Sequence, residues 1–173
     1  MRKLRAVDGP VHVRADVAAE ARAVGGDGVT VHGKQTALMP GNEDKVGYWL
    51  TPPDLMAQIQ AEFDFDFDAC PYPRPAGFDG LKEPWGARTW CNPPFAGTAA
   101  AWARKAVSEA ALGKLVVCAF SAHRLDTVAP IFLDARPDVE VRLLPRVLWR
   151  NPDGDVIPHR KTCTALFILR PKP

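Results

Sequence analysis

Nowhere in this chain of 173 residues do two cysteines stand at C-x-x-C spacing. The usual signature of a structural zinc site is therefore missing, and no metal is expected. The four cysteines, Cys70, Cys91, Cys118 and Cys163, are scattered among apolar neighbours. Buried free thiols, as in a cytosolic protein, are the expectation. No apolar run is long enough to span a bilayer, and the opening residues do not have the composition of a secretory leader. A membrane is not expected as a partner, and a cytoplasmic location is. Charge of one sign is not in excess either: 22 basic and 20 acidic side chains leave a net charge of +2. Any affinity for nucleic acid must then come from local patches.

What is present is an ordinary soluble composition, 47% hydrophobic and 24% charged, with 17 prolines. The length suits one domain with a real core. The prolines cluster at 71–84 and recur at 93–94, which points to rigid turns between short elements. Residues 1–45 differ from the rest. They are rich in Ala, Val, Gly and charge, and offer one short candidate helix at 14–24. They are read as an N-terminal extension, with no second element to complete a core.

From residue 46 onward the pattern tightens. "TPPDLMAQIQAEF" reads as a helix with Thr51 as N-cap, Pro52 as first helical residue, and Leu55, Ile59 and Phe63 on one face. "FDFDFDAC" alternates as a strand would, with Asp64, Asp66 and Asp68 on one side. "RTWCN" is a short strand, and "TAAAWARKAVSEAALG" a helix stopped by Gly113. "KLVVCAFS" is a strand covered on both faces. "RLDTVAPIFLDA" predicts a helix interrupted near Pro130. "VEVRLLPRVLWR" predicts a strand or a bent pair, "NPDGD" a turn, and "CTALFILR" a closing strand. The order of these elements predicts an α/β fold: a compact sheet, mostly parallel with an antiparallel C-terminal end, and helices on both faces.

Ligands on such sheets bind beyond the carboxyl ends of the strands. Two of those ends are unusual. The first strand ends in Asp68. Its carboxylate either belongs to a solvated acidic face or serves a cationic amine or a ribose hydroxyl. The following "DACPYPRPAG" has neither G-x-G-x-x-G nor Walker A spacing, which disfavours dinucleotides and ATP. The second end is "CNPPF". Each proline holds the residue before it extended, and neither has an N–H to donate. Acceptors and the Phe95 ring remain. This is either a rigid Asn-Pro turn or a pocket for an exocyclic amine on a planar ring.

Taken in order, Trp49–Thr51–Pro52, "FDAC" at 67–70, "DGLKEPW" at 79–85, "WCNPPF" at 90–95, "WARKAVSEA" at 102–110, "RLDT" at 124–127 and "LLPRVLW" at 143–149 resemble the phage-type DNA N-6-adenine methyltransferase (Dam) family. The resemblance covers roughly residues 46 to 170. It implies a Rossmann-like methyltransferase domain over 46–173. It implies transfer of a methyl group from S-adenosylmethionine to the N6 amine of adenine in DNA, as in modification of phage or prophage DNA within a bacterial cell.

Residue by residue, the resemblance places Tyr48, Trp49, Thr51, Pro52, Asp68, Ala69 and Cys70 at the cofactor. Asp79 is either a second acid there or a cap of the "DGL" turn. Asn92, Pro93, Pro94 and Phe95 would hold a flipped adenine, with the Asn92 side-chain oxygen and the Pro93 carbonyl accepting the N6 hydrogens. Phe95 stands where the family commonly has tyrosine, which keeps stacking and removes a hydroxyl. The same motif serves other amines, in cytosine N4, RNA or protein, and a non-catalytic nucleic-acid-binding relative would keep the fold.

DNA contact would fall to Arg124, Arg146, Arg150, His159, Arg160 and Lys161. Between 142 and 172 seven basic residues face only Asp153 and Asp155. Such a cluster suits phosphate, or else a solvated edge strand. Arg124 either faces the substrate groove or pairs with Asp126. No separate recognition domain is visible, so sequence choice must come from short loops, the N-terminal extension or a second subunit in a homodimer.

Overall fold

The computed structural model describes residues 49–94, 97–144, 146–156 and 163–172. The extension over 1–45, its candidate helix, and Tyr48, Phe95, His159, Arg160 and Lys161 lie outside the described residues.

The elements follow one another as α1 (Pro53–Phe63), β1 (Phe67–Asp68), β2 (Arg88–Cys91), α2 (Ala99–Ala110), β3 (Leu115–Ser121), α3 (Leu125–Ala135), β4 (Glu140–Leu144) and β5 (Thr164–Leu169), with a 3-10 turn at Ala122–Arg124. They build a five-stranded mixed sheet in the order β1-β2-β3-β5-β4. The first three strands are parallel, and β5 runs antiparallel to both of its neighbours. The chain's last strand thus lies inside the sheet, and β4 takes the edge.

Alternation along the central strands divides the core into two layers. Val116, Cys118 and Phe120 of β3, with Ala165, Phe167 and Leu169 of β5, pack against Trp102, Ala103, Ala106 and Ala110 of α2 and Val128 and Phe132 of α3. Leu115, Val117 and Ala119, with Leu166 and Ile168, meet Ile59 and Phe63 of α1 on the opposite face, together with Trp90 and Trp149. Every residue of β3 and β5 is buried. At about 1.5–3 kcal/mol for each large apolar side chain, these two strands carry much of the fold. Phe132 and Phe167 stack with ring centroids 4.4 Å apart.

Several expectations are corrected. Helix α1 begins one residue late: Pro53 is the first helical residue and Pro52, with ψ 138°, is the N-cap. A proline forces the residue before it to be extended, so Pro53 bars Pro52 from the helix. Thr51 is consequently not a cap. The acidic–aromatic alternation is not one strand. Phe63 ends α1, Asp64 turns the chain at φ 50°, and only Phe67 and Asp68 pair as β1. Asp64, Asp66 and Asp68 therefore do not share a strand face. The Asp66 carboxylate instead accepts the Arg88 N–H at 3.0 Å.

Helix α3 runs unbroken through Pro130. The ring removes one backbone donor, while the buried Val128 and Phe132 anchor the helix on both sides of it. Cys70, Cys91 and Cys118 are buried free thiols as expected, but Cys163 is exposed. No described helix is long and apolar enough to cross a membrane.

Candidate active cleft

Because β1 and β2 are parallel and adjacent, Asp68 and Asn92 leave the sheet at the same end. Asp68 registers with Trp90, and the Ala69 N–H continues the ladder to the Trp90 carbonyl at 2.9 Å. The chain then turns sharply, with the Cys70 N–H donating to Asp68 Oδ1 at 2.8 Å. Between these strand ends opens a cleft of about 250 Å³, lined by Trp49, Leu50, Thr51, Met56, Asp68, Cys70, Tyr72, Trp90 and Asn92. Four of the residues expected at a cofactor thus meet Asn92 in one cavity. Leu50, Met56, Tyr72 and Trp90 complete the walls and were not singled out from sequence. Met56, Tyr72 and Trp90 lie within the quoted stretches, Met56 in the first turn of α1.

Asp68 is open to solvent yet sunk among the cleft walls. This crowding raises its carboxyl above the usual range, and the Cys70 N–H opposes the rise in part. Among the described residues no cation pairs with it. Burial pushes the neighbouring Cys70 and Cys91 thiols up as well, so they remain protonated and unreactive.

Asn92 is half-buried and its carboxamide is oriented by its partners. Nδ2 donates to the Trp49 carbonyl at 2.6 Å and reaches Thr51 Oγ1 at 3.4 Å. Oδ1 is buried and has no donor among the described residues. Leaving such an acceptor unsatisfied costs about 1–3 kcal/mol, so a ligand N–H at this atom would recover that loss. The next two residues turn away. Pro93 and Pro94 line a narrow crevice with Ser121 and Arg124, at the end of β3. Arg124 therefore sits beside the double proline, not in the cleft. The Asp126 carboxylate accepts from Thr127 at 2.8 Å.

The "DGLKEPW" stretch supports the cleft from behind. A Cβ on Gly80 would lie 1.9 Å from the Ala69 carbonyl oxygen, so only glycine allows this pass beneath the turn after β1. The Gly80 carbonyl accepts the Trp85 indole N–H at 2.7 Å, and Trp85 stacks on Trp102 of α2. Asp79 caps the turn through the Leu81 N–H at 3.1 Å and pairs with Lys82 at 3.0 Å. These contacts, the Lys82 one foremost, lower its pKa. Asp79 lines a separate 60 Å³ hollow with Ala69, Cys70 and Pro94.

A second, larger groove of about 410 Å³ lies between α1 and residues 144–156. Its lining includes Pro52, Leu55, Gln58, Val147, Arg146 and Arg150. Arg146 is exposed and has no ion-pair partner among the described residues. Arg150 donates to its own hairpin at the Gly154 carbonyl, 2.7 Å away. The rest of the described basic cluster divides. Arg142 binds Glu62 and Glu140, and Arg170 binds Glu140, so these two belong to an ion-pair network on the edge strand.

Comparison with models of protein families, with curated proteins and with solved structures finds no match for this chain.

Proposed function

We propose that this chain transfers a methyl group from S-adenosylmethionine to the N6 amine of adenine in DNA, on a Rossmann-like methyltransferase domain. The observation that carries the reading is the Asn92 carboxamide. Its nitrogen is tied to Trp49, its buried oxygen has no donor among the described residues, and the residue lines the cavity that also holds Asp68. An amine brings the N–H that this oxygen lacks.

The cleft residues suit the cofactor. Asp68 has no cation among the described residues and would hold the ammonium of the methionine end, as Trp49, Met56, Tyr72 and Trp90 wall the remainder. When bound, S-adenosylmethionine supplies a methyl group already activated by its sulfonium charge. The chain's task is then positioning. Asn92 Oδ1 accepts one hydrogen of the target amine and orients its lone pair. The prolines add no competing donor. Phe95, by the resemblance, stacks on the base, a contact worth roughly 1–3 kcal/mol and comparable to base extrusion. Arg146, with its exposed charge beside the larger groove, is suited to a phosphate, and binding through it weakens with added salt.

The test is nucleoside mass spectrometry of adenine-containing DNA incubated with the purified full chain and S-adenosylmethionine. N6-methyladenine is the expected product. N4-methylcytosine instead would keep the chemistry and move the target. An unmethylated product, with no binding of labelled cofactor, would sink the enzyme reading.

A further inference from the structure

Asn92 is gripped by the segment that precedes α1. A carbonyl can only accept, so the 2.6 Å contact with Trp49 fixes which end of the carboxamide carries the nitrogen. With the amide turned over, two oxygens would face each other at that distance. The Thr51 hydroxyl, 3.4 Å from the same nitrogen, is the weaker contact and the one that a side-chain substitution can remove. It is available because Pro53 displaces the helix start and leaves Thr51 outside α1. The Trp49 carbonyl is held in turn. Leu50 exchanges two backbone hydrogen bonds with Arg150, at 2.9 and 3.2 Å, and Arg150 pairs with Val156 across the turn at 151–155.

We propose that the Trp49 carbonyl and the Thr51 hydroxyl form a clamp that sets the orientation of the Asn92 amide, which makes Thr51 a positioning residue for the reaction. Its kinetic consequence rests on the proposed methyl transfer; the clamp does not. The clamp predicts that position 92 requires a neutral amide. In Asn92→Asp a carboxylate oxygen would face the Trp49 carbonyl, and only the protonated acid could donate to it.

The test uses the isotopically labelled full chain. The Asn92 side-chain amide signals are identified by their loss in Asn92→Ala. Thr51→Val, which keeps the shape and removes the hydroxyl, moves these signals and speeds their solvent exchange several-fold, and Thr51→Ser restores both. In turnover at saturating cofactor, Thr51→Val lowers kcat about tenfold with the KM for DNA unchanged, and Thr51→Ser recovers it. Amide signals that coincide in wild type and Thr51→Val overturn the clamp. An unchanged kcat in an active enzyme overturns the positioning role. Wild-type protein that transfers no methyl group, but whose amide signals depend on Thr51, overturns the proposed reaction and leaves the clamp standing.

Discussion

The two ends of the sheet treat charge in opposite ways. At the β4 edge, Arg142 binds Glu62 at 2.7 Å and Glu140 at 2.8 Å, and Arg170 binds Glu140 at 3.2 Å. The charges there neutralise one another. At the carboxyl ends of β1 and β2, Asp68 has no cation and Asn92 Oδ1 has no donor among the described residues. A fold that needed these groups only for stability would satisfy them, because unsatisfied polar atoms in a crowded site oppose folding. The contrast teaches that the count of charges in a segment says less than whether each already has a partner.

The largest effect should come from Asn92→Ala, which removes the acceptor that has no donor among the described residues. A fall in kcat of about 10²–10³, comparable to loss of one preorganised polar contact in other enzymes, is expected in the methylation assay with cofactor binding kept. If Asn92→Ala turned over normally, the cleft would be no more functional than the β4 edge.

Next comes Gly80→Ala, which strikes the support of the cleft. The added Cβ would meet the Ala69 carbonyl oxygen at 1.9 Å and the Trp102 ring at 3.0 Å. A stability loss of about 2–3 kcal/mol is expected from denaturant unfolding. An unchanged midpoint would show that the turn after β1 can yield.

Asp68→Asn should weaken binding of labelled S-adenosylmethionine by about 10–100-fold, the range for a hydrogen bond to a charged group. Crowding raises the Asp68 carboxyl, so its ionised form is the one that folding disfavours. Above that raised pKa the charge opposes stability, and the melting temperature of Asp68→Asn at pH 7 should equal or exceed that of wild type. Cofactor affinity should rise with pH up to that raised pKa and then level off. A lower melting temperature would place Asp68 with the structural charges of the β4 edge.

The smallest effect belongs to Arg142→Met. The pair with Glu62 is partly exposed, so about 1 kcal/mol or less is expected from thermal melts, and less again at high salt. Arg142 lowers the Glu62 pKa. Its contribution is full above the ordinary glutamate range and is lost as pH falls through the lowered value. DNA affinity should not change. A marked loss of DNA binding in this variant would return Arg142 to the phosphate-binding set.

Much of this contrast was legible before folding. An all-apolar "LVVCAF" had to be an interior strand, and Ala-rich 99–110 had to be a helix with one buried stripe. Asp68 and Asn92 stood out because each ends a strand beside prolines. Other features were not legible. Thr51 has the sequence of a cap and the structure of a clamp, because the second proline after it decides where the helix begins. Arg142 and Arg146 look alike in one basic run, yet Glu62, 80 residues earlier, neutralises the first. Asp79 reads as either a ligand or a cap, and its bonds to Leu81 and Lys82 make it a cap of the turn.

By itself the sequence determined the local conformations, the apolar strands and helices, and the two strand ends able to carry chemistry, since these depend on near neighbours along the chain. Only the tertiary structure decided the partners. It slid β5 between β3 and β4, brought Trp49 and Thr51 to Asn92 across more than 40 residues, and left the Asn92 oxygen buried with no donor among the described residues. Which polar groups are satisfied depends on contacts between distant segments, and no local pattern of residues encodes them.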